Sequence, residues 1–248
     1  MGTEYIAVGF TILLTIATSA LLGGYMFKVF TGKRTLLDPI FVPLERLVLR
    51  LTGVDLKEQQ DWKQYSVSLL MSNIVMWLAT FAIVSLQKVL PLNPDGIANM
   101  EPTLSFNTIS SFTTNTNLQH YSGETGLSYF SQMFAITFLQ FVTAATGVAA
   151  CIAIIRGLAG NRLTQLGNFY VDLTRATIRV FLPLALVVGT ILIWQGTPMT
   201  FEGAVKATTV EGQEQVIARG VVVPVRGYEY ASIRAAYNFG QHRKSADA

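Results

Sequence analysis

Residues 110–125 read SSFTTNTNLQHYSGET, a stretch with no aliphatic run lying between two long apolar segments. Within it Thr114, Asn115, Thr116 and Asn117 alternate hydroxyl and amide side chains, and Gln119 stands just beyond. Such a run is rich in oxygen, because each of these five residues adds a neutral side-chain oxygen to its backbone carbonyl. A monovalent cation that sheds its water needs a ring of oxygens in return, and backbone carbonyls can supply one for K⁺. Glycine normally permits the backbone turns this requires, yet no glycine lies between Thr114 and Gln119. Asn is the residue other than glycine that best tolerates a left-handed backbone, so Asn115 and Asn117 would take glycine's part. The competing reading is an exposed loop, since Asn, Thr and Ser are ordinary loop residues. It is not a glycosylation loop, because the chain has no Asn-x-Ser/Thr sequon. His120 reads as a solvated loop residue.

The element that must position this segment is EPTLSFNTISSF, residues 101–112. Pro102 suits a first helical turn, and Leu104, Thr108 and Ser111 fall on one face. A helix from Thr103 to Phe112 would be about 15 Å long, half a hydrocarbon core. Its C-terminal end abuts Thr113–Asn117 and carries about half a negative charge, which favours a cation there.

The frame around it is a membrane protein. Hydrophobic residues make up 51% of the 248 and charged residues 13%, about half the charged share of a soluble domain; mean hydropathy is +0.43. Four stretches predict spans: Tyr5–Phe30, Val67–Leu86, Met133–Ile155 and Ala176–Trp194. The first lacks a basic leader and exceeds the hydrophobic core of a secretory signal, so a span is preferred. Ser68, Ser72, Asn73 and Thr80 should mark the sheltered side of the second, and Thr143, Gly147 and Cys151 a close-packing stripe on the third. Pro183 should kink the fourth, with Arg179 snorkelling to the interface. In PLERLVLRLTGV, residues 43–54, Leu44, Leu47, Val48 and Leu51 share a face that excludes Glu45, Arg46 and Arg50, predicting an amphipathic helix at the membrane surface.

Basic residues set the orientation. Lys33, Arg34, Arg46, Arg50, Lys57 and Lys63 lie between spans one and two, and Arg156, Arg162 and Arg175 between three and four, whereas residues 91–131 contain no Lys or Arg. The positive-inside rule puts the basic loops in the cytoplasm and the Asn/Thr segment outside. The net charge of +3 is dispersed between apolar stretches and predicts no nucleic-acid partner. Two histidines and the lone Cys151 give no basis for a transition-metal site.

SFTTNTNLQHYSGETGLSYFSQM closely resembles the first pore segment of the potassium-binding A subunits of bacterial Kdp-type potassium-transporting ATPases. PLERLVLRLTGV, DWKQY, VLPLNP and LGNFYVDLTRATIRVFLP share the likeness, which runs from about Pro43 to Gly212. The resemblance implies an all-α polytopic membrane protein of the K⁺ transporter superfamily, built on span–pore-helix–span repeats, in the bacterial inner membrane. It implies K⁺ as the transported ion, no organic cofactor, and filter positions at Thr114, Asn115, Thr116, Asn117 and Gln119. It also implies an ATP-hydrolysing B subunit, a periplasmic C subunit and a small single-span F subunit as partners. The chain itself would be non-catalytic, in keeping with the absence of a Walker or aspartyl-phosphate motif. The expected organisation is an extra span and surface helix over 1–61, a first repeat over 62–158 and the start of a second over 159–225. The segment 226–248 departs from the family pattern and reads as a truncated or frame-shifted, disordered tail. Two other functions fit the residues alone: a passive homotetrameric cation channel, and a membrane scaffold with a polar partner-binding loop.

Overall fold

A computed structural model describes residues 2–118, 120–160, 164–195, 201–203, 205–208 and 214–217. Gln119 and the tail 226–248 lie outside the described residues. Helix α1 (Gly2–Phe30) is followed by α2 (Asp38–Thr52), α3 (Trp62–Ser85) and α4 (Pro102–Thr113). Two short turns, α5 (Gly123–Gly126) and α6 (Tyr129–Ser131), lead through a π-helical stretch, Gln132–Thr137, into α7 (Phe138–Ala159). Helix α8 (Phe169–Arg175) passes through a second π stretch, Ala176–Phe181, into α9 (Leu182–Trp194). Among the described residues, four continuous helical segments are long and apolar enough to cross a membrane: Tyr5–Phe30, Trp62–Ser85, Tyr129–Ala159 and Phe169–Trp194. The four predicted spans are therefore present, three of them starting earlier than hydropathy suggests. Beyond the helices, β1 (Val205–Thr208) and β2 (Glu214–Ile217) pair antiparallel with Val205 opposite Ile217. This small ribbon departs from the all-helical reading.

The described residues fall into two compact units, one from residues 1–65 and 148–180, the other from residues 66–147 and 181–248. In the first unit, α2 ends as its sequence dictates. Gly53 adopts φ 71° and its amide, with that of Val54, closes back on Arg50 and Leu49. Leu44, Leu47 and Leu51 are exposed, while Phe41, Glu45 and Leu49 are buried. The apolar stripe expected at the membrane surface is thus free for lipid, and the face holding Glu45 is the one that packs.

Glu45 is buried because two arginines meet it. Arg175 donates from Nε to Oε1 at 3.0 Å, and Arg179 from Nη1 to Oε2 at 3.4 Å. Arg179 also pairs with Asp38, which accepts from the Thr35 hydroxyl and, at 3.1 Å, from the Thr35 amide. Burial pushes the Asp38 carboxyl up, but the Thr35 hydrogen bonds and the Arg179 guanidinium outweigh it and hold it below the ordinary value. The expectation that Arg179 snorkels to the interface is corrected. Its side chain is 5% exposed and spends its charge on two carboxylates within the unit.

A second cluster joins the starts of two spans. Asp61 Oδ1 accepts from the Gln64 amide, and Asn168 Oδ1 accepts from the amides of Tyr170 and Val171, so each span opens on a capping side chain. Just before these caps, Gln60 and Gly167 form an isolated antiparallel bridge. Gly167 has φ 103°, and a Cβ there would strike the Arg156 guanidinium. Arg156 grips Asp172 through both η nitrogens, at 2.5 and 2.9 Å, and the Tyr65 hydroxyl completes the cluster at 3.2 Å from Asp172.

A π-helical stretch, Ala176–Phe181, lies just ahead of Pro183 on the fourth span. Pro183 has no amide to give the carbonyl of Arg179, four residues earlier. That carbonyl accepts instead from the Tyr25 hydroxyl at 2.6 Å. On α7 the expected small-residue stripe holds at Thr143, which is buried, and is corrected at its other two positions. Ala145, Ala149 and Ala153 are buried, whereas Gly147 and Cys151 are exposed. Small residues recur every four positions on two stripes of this helix, and methyl groups rather than Gly147 line the packed one.

Candidate functional site

The site lies in the second unit and begins with a helix start. Glu101 caps α4, accepting from the Leu104 amide at 2.9 Å, and Pro102 occupies the first turn. Hydrogen bonds from the Thr103 hydroxyl and then from the amides of Thr103 and Leu104 hold the Glu101 carboxyl below its ordinary value. Helix α4 is 12 residues long, about 18 Å at 1.5 Å per residue. That is too short to cross a bilayer, and one residue longer at each end than the sequence suggested.

Ile109 and Phe112 anchor α4 in an apolar core with Val84, Met100, Leu127, Ala135, Ile136 and Leu139. Trp77 stacks on Phe81 at 4.9 Å and donates its indole N–H to Ser110 Oγ at 3.0 Å. Gln87, wholly buried, ties the loops on either side of α4 together by donating to the carbonyls of Ala98 and Gly126 and accepting from the Ser128 amide. A helix end held from several sides is what a precise loop requires.

Beyond α4 the backbone does not simply unwind. The Thr114 amide bonds Ser110 O at 3.0 Å, and the Asn115 amide bonds Phe112 O at 3.2 Å. The Thr116 and Asn117 amides both reach Ser111 O, at 2.9 and 3.4 Å, and the Leu118 amide reaches Ser111 Oγ at 2.8 Å. Asn115 and Asn117 make this possible with φ of 58° and 56°. The left-handed tolerance inferred from their residue type is therefore in use at both positions.

The carbonyl directions follow. In a trans peptide the C=O points opposite to the N–H of the next residue, and there is no cis peptide among the described residues. The amides of residues 115–118 all turn back toward residues 111 and 112. The carbonyls of Thr114, Asn115, Thr116 and Asn117 therefore all turn away from the helix end. Among the described residues none of the four accepts a hydrogen bond, and the four side chains are exposed. Those side chains are also ordered among themselves: Thr114 and Thr116 hydroxyls lie 2.9 Å apart, and Asn117 Nδ2 donates to Asn115 Oδ1 at 3.2 Å.

Sequence comparison agrees with this architecture. The family model for the potassium-transporting ATPase A subunit matches residues 9–227. The chain belongs to that family. A relative from Pseudomonas aeruginosa is 49% identical over 207 residues, which is 84% of this chain and 37% of the relative. Those from Caldanaerobacter subterraneus subsp. tengcongensis and Alicyclobacillus acidocaldarius are 44% and 46% identical, each over 88% of this chain and 39% of the relative. All three bear the name potassium-transporting ATPase potassium-binding subunit. The chain thus spans under two fifths of the length of these relatives. Membership of the family, with four apolar spans, makes it a multi-pass membrane protein.

Of the five residues named from sequence, Thr114, Asn115, Thr116 and Asn117 form one continuous strip, while Gln119 lies outside the described residues. Three supporting residues were not anticipated in these roles. Trp77 and Thr143 come from other spans, and Thr143 donates to the Phe112 carbonyl at 3.2 Å. Ser111 was assigned only a helix face. Its one available signal was its position three residues before the first Thr of the alternating run.

Proposed function

We propose that this chain carries the first pore segment of the potassium-binding subunit of an ATP-driven potassium importer. Thr114, Asn115, Thr116, Asn117 and Gln119 contribute one side of its ion filter. K⁺ exchanges water for the carbonyls of the strip on the outer face of the bacterial inner membrane. The ion then passes toward a partner B subunit that hydrolyses ATP, in a complex with C and F subunits. The observation that carries this reading is that four successive carbonyls turn away from the C-terminal end of a half-membrane helix, unpaired within the described residues. Half a negative charge about 6 Å from K⁺ at an effective dielectric of ~20 attracts it by about 1.4 kcal/mol. One such helix end therefore offers about tenfold in affinity, and the oxygens must supply the rest.

The test uses the assembled ATPase containing the full-length subunit. A β-branched residue in left-handed backbone costs about 1–2 kcal/mol. Asn115→Val and Asn117→Val should therefore raise the half-saturating K⁺ for ATP hydrolysis about tenfold, whereas Asn→Gly at either position should stay within about threefold. Valine variants with the parent's K⁺ dependence would rule the filter reading out.

A further inference from the structure

We infer that Ser111 is a positioning residue for ion selection, fixing the plane of the Asn117 carbonyl through its side-chain oxygen; this rests on the filter reading above. Ser111 is the point where the strip is gathered. Its carbonyl accepts from the Thr116 and Asn117 amides, and from the Thr114 hydroxyl at 3.2 Å. Its hydroxyl oxygen accepts from the Leu118 amide at 2.8 Å. The first set of bonds belongs to the backbone and would survive any side chain. The last belongs to serine alone.

That one bond reaches the strip's far end. The Leu118 amide shares a rigid peptide plane with the Asn117 carbonyl, so anchoring the N–H at Ser111 Oγ aims the C=O the other way. Without the hydroxyl oxygen the plane is free to rotate, and the amide will seek another acceptor or water. Discrimination among alkali cations depends on the number and arrangement of coordinating oxygens. A loosened carbonyl at one end of the strip should therefore change which ion is preferred as well as how tightly it binds. The neighbouring Ser110 has a different task, since its Oγ takes the Trp77 indole N–H. Two adjacent serines are thus divided between core and filter.

The experiment compares variants of the full-length subunit in the assembled ATPase, reading half-saturating K⁺ and Rb⁺ together with the maximal rate. Ser111→Ala should raise the half-saturating K⁺ about fivefold and shrink the K⁺/Rb⁺ ratio, with the maximal rate unchanged. Ser111→Thr, which keeps the oxygen, should restore both. Ser110→Ala should leave the ratio alone. If Ser111→Ala does not assemble, Ser111→Cys takes its place, being of similar size and only a weak acceptor. A Ser111 variant matching the parent in affinity and ratio, while Asn117→Val is impaired, would overturn the positioning role and leave the filter reading standing. Parent behaviour in both Ser111 and Asn117 variants would overturn the two together. A loss in Ser111→Ala that Ser111→Thr fails to recover, or that Ser110→Ala reproduces with the same shift in ratio, would also overturn it.

Discussion

Thr143 on the third span donates its hydroxyl to the carbonyl of Phe112, the last buried residue of the half-helix, at 3.2 Å. The same hydroxyl lies 2.7 Å from its own helix carbonyl at Leu139. A single proton serves two acceptors, and the shorter contact takes the larger share. Thr143→Val should consequently cost less than a full hydrogen bond, under about 1 kcal/mol of stability. Thr143→Ser should cost still less. Thermal unfolding of the purified subunit checks both, and a loss of several kcal/mol in Thr143→Val would show that the Phe112 contact is the dominant one.

The Glu45–Arg179 pair predicts a much larger effect. Both side chains are 5% exposed, and removing one partner of a buried pair costs about 3–5 kcal/mol because the other charge is stranded. Arg179→Met leaves Glu45 with Arg175 alone and Asp38 with only Thr35, so it should lower the unfolding temperature and the membrane yield sharply. Glu45→Gln keeps one acceptor oxygen and turns an amide NH2 toward the other arginine, but Arg179 still pairs with Asp38, so it should lose less. Equal losses in the two variants would argue against charge pairing as the cause.

Asp38 gives the network a pH dependence of definite sign. Its folded-state carboxyl titrates below the unfolded value, which is about 3.9. The folded state therefore binds fewer protons, and the stabilisation is present above the unfolded value and lost as pH falls through the folded one. Unfolding temperature followed from pH 6 down through about pH 3 should fall less in Asp38→Asn than in the parent. Identical profiles would exclude Asp38 as a contributor.

Orientation can be read by labelling in a Cys151→Ser background. Cysteines replacing Asn99 or Ser122, both exposed, should react with an impermeant thiol reagent added outside intact cells, and one replacing Lys57 should not. The opposite pattern would reverse the side from which the ion enters.

What the sequence made legible was what depends on near neighbours. Proline at a first turn and left-handed backbone at Asn115 and Asn117 are properties of a residue and its immediate context. Hydropathy revealed the spans for the same reason. The errors arose where long-range partners decide. Arg179 was expected at the interface because its carboxylates lie 134 and 141 positions away. Gly147 and Cys151 were expected to pack because spacing identifies a stripe without saying which stripe has a neighbour. Ser111 fell between the two cases. Its role is local, but it depends on how tightly the chain doubles back, which residue type alone does not specify.

The bridge at Gln60 also has a consequence in time. The Gln60 side chain accepts the amide of Phe169, made 109 residues later. At roughly 5–20 residues per second of synthesis, the start of the second span waits about 5–20 s before its partner emerges from the ribosome. Throughout that interval the Asp61-capped helix start must hold its place without the Asn168-capped one. A nascent chain arrested before residue 167 should leave Gln60 open to solvent, and one arrested well beyond it should protect it.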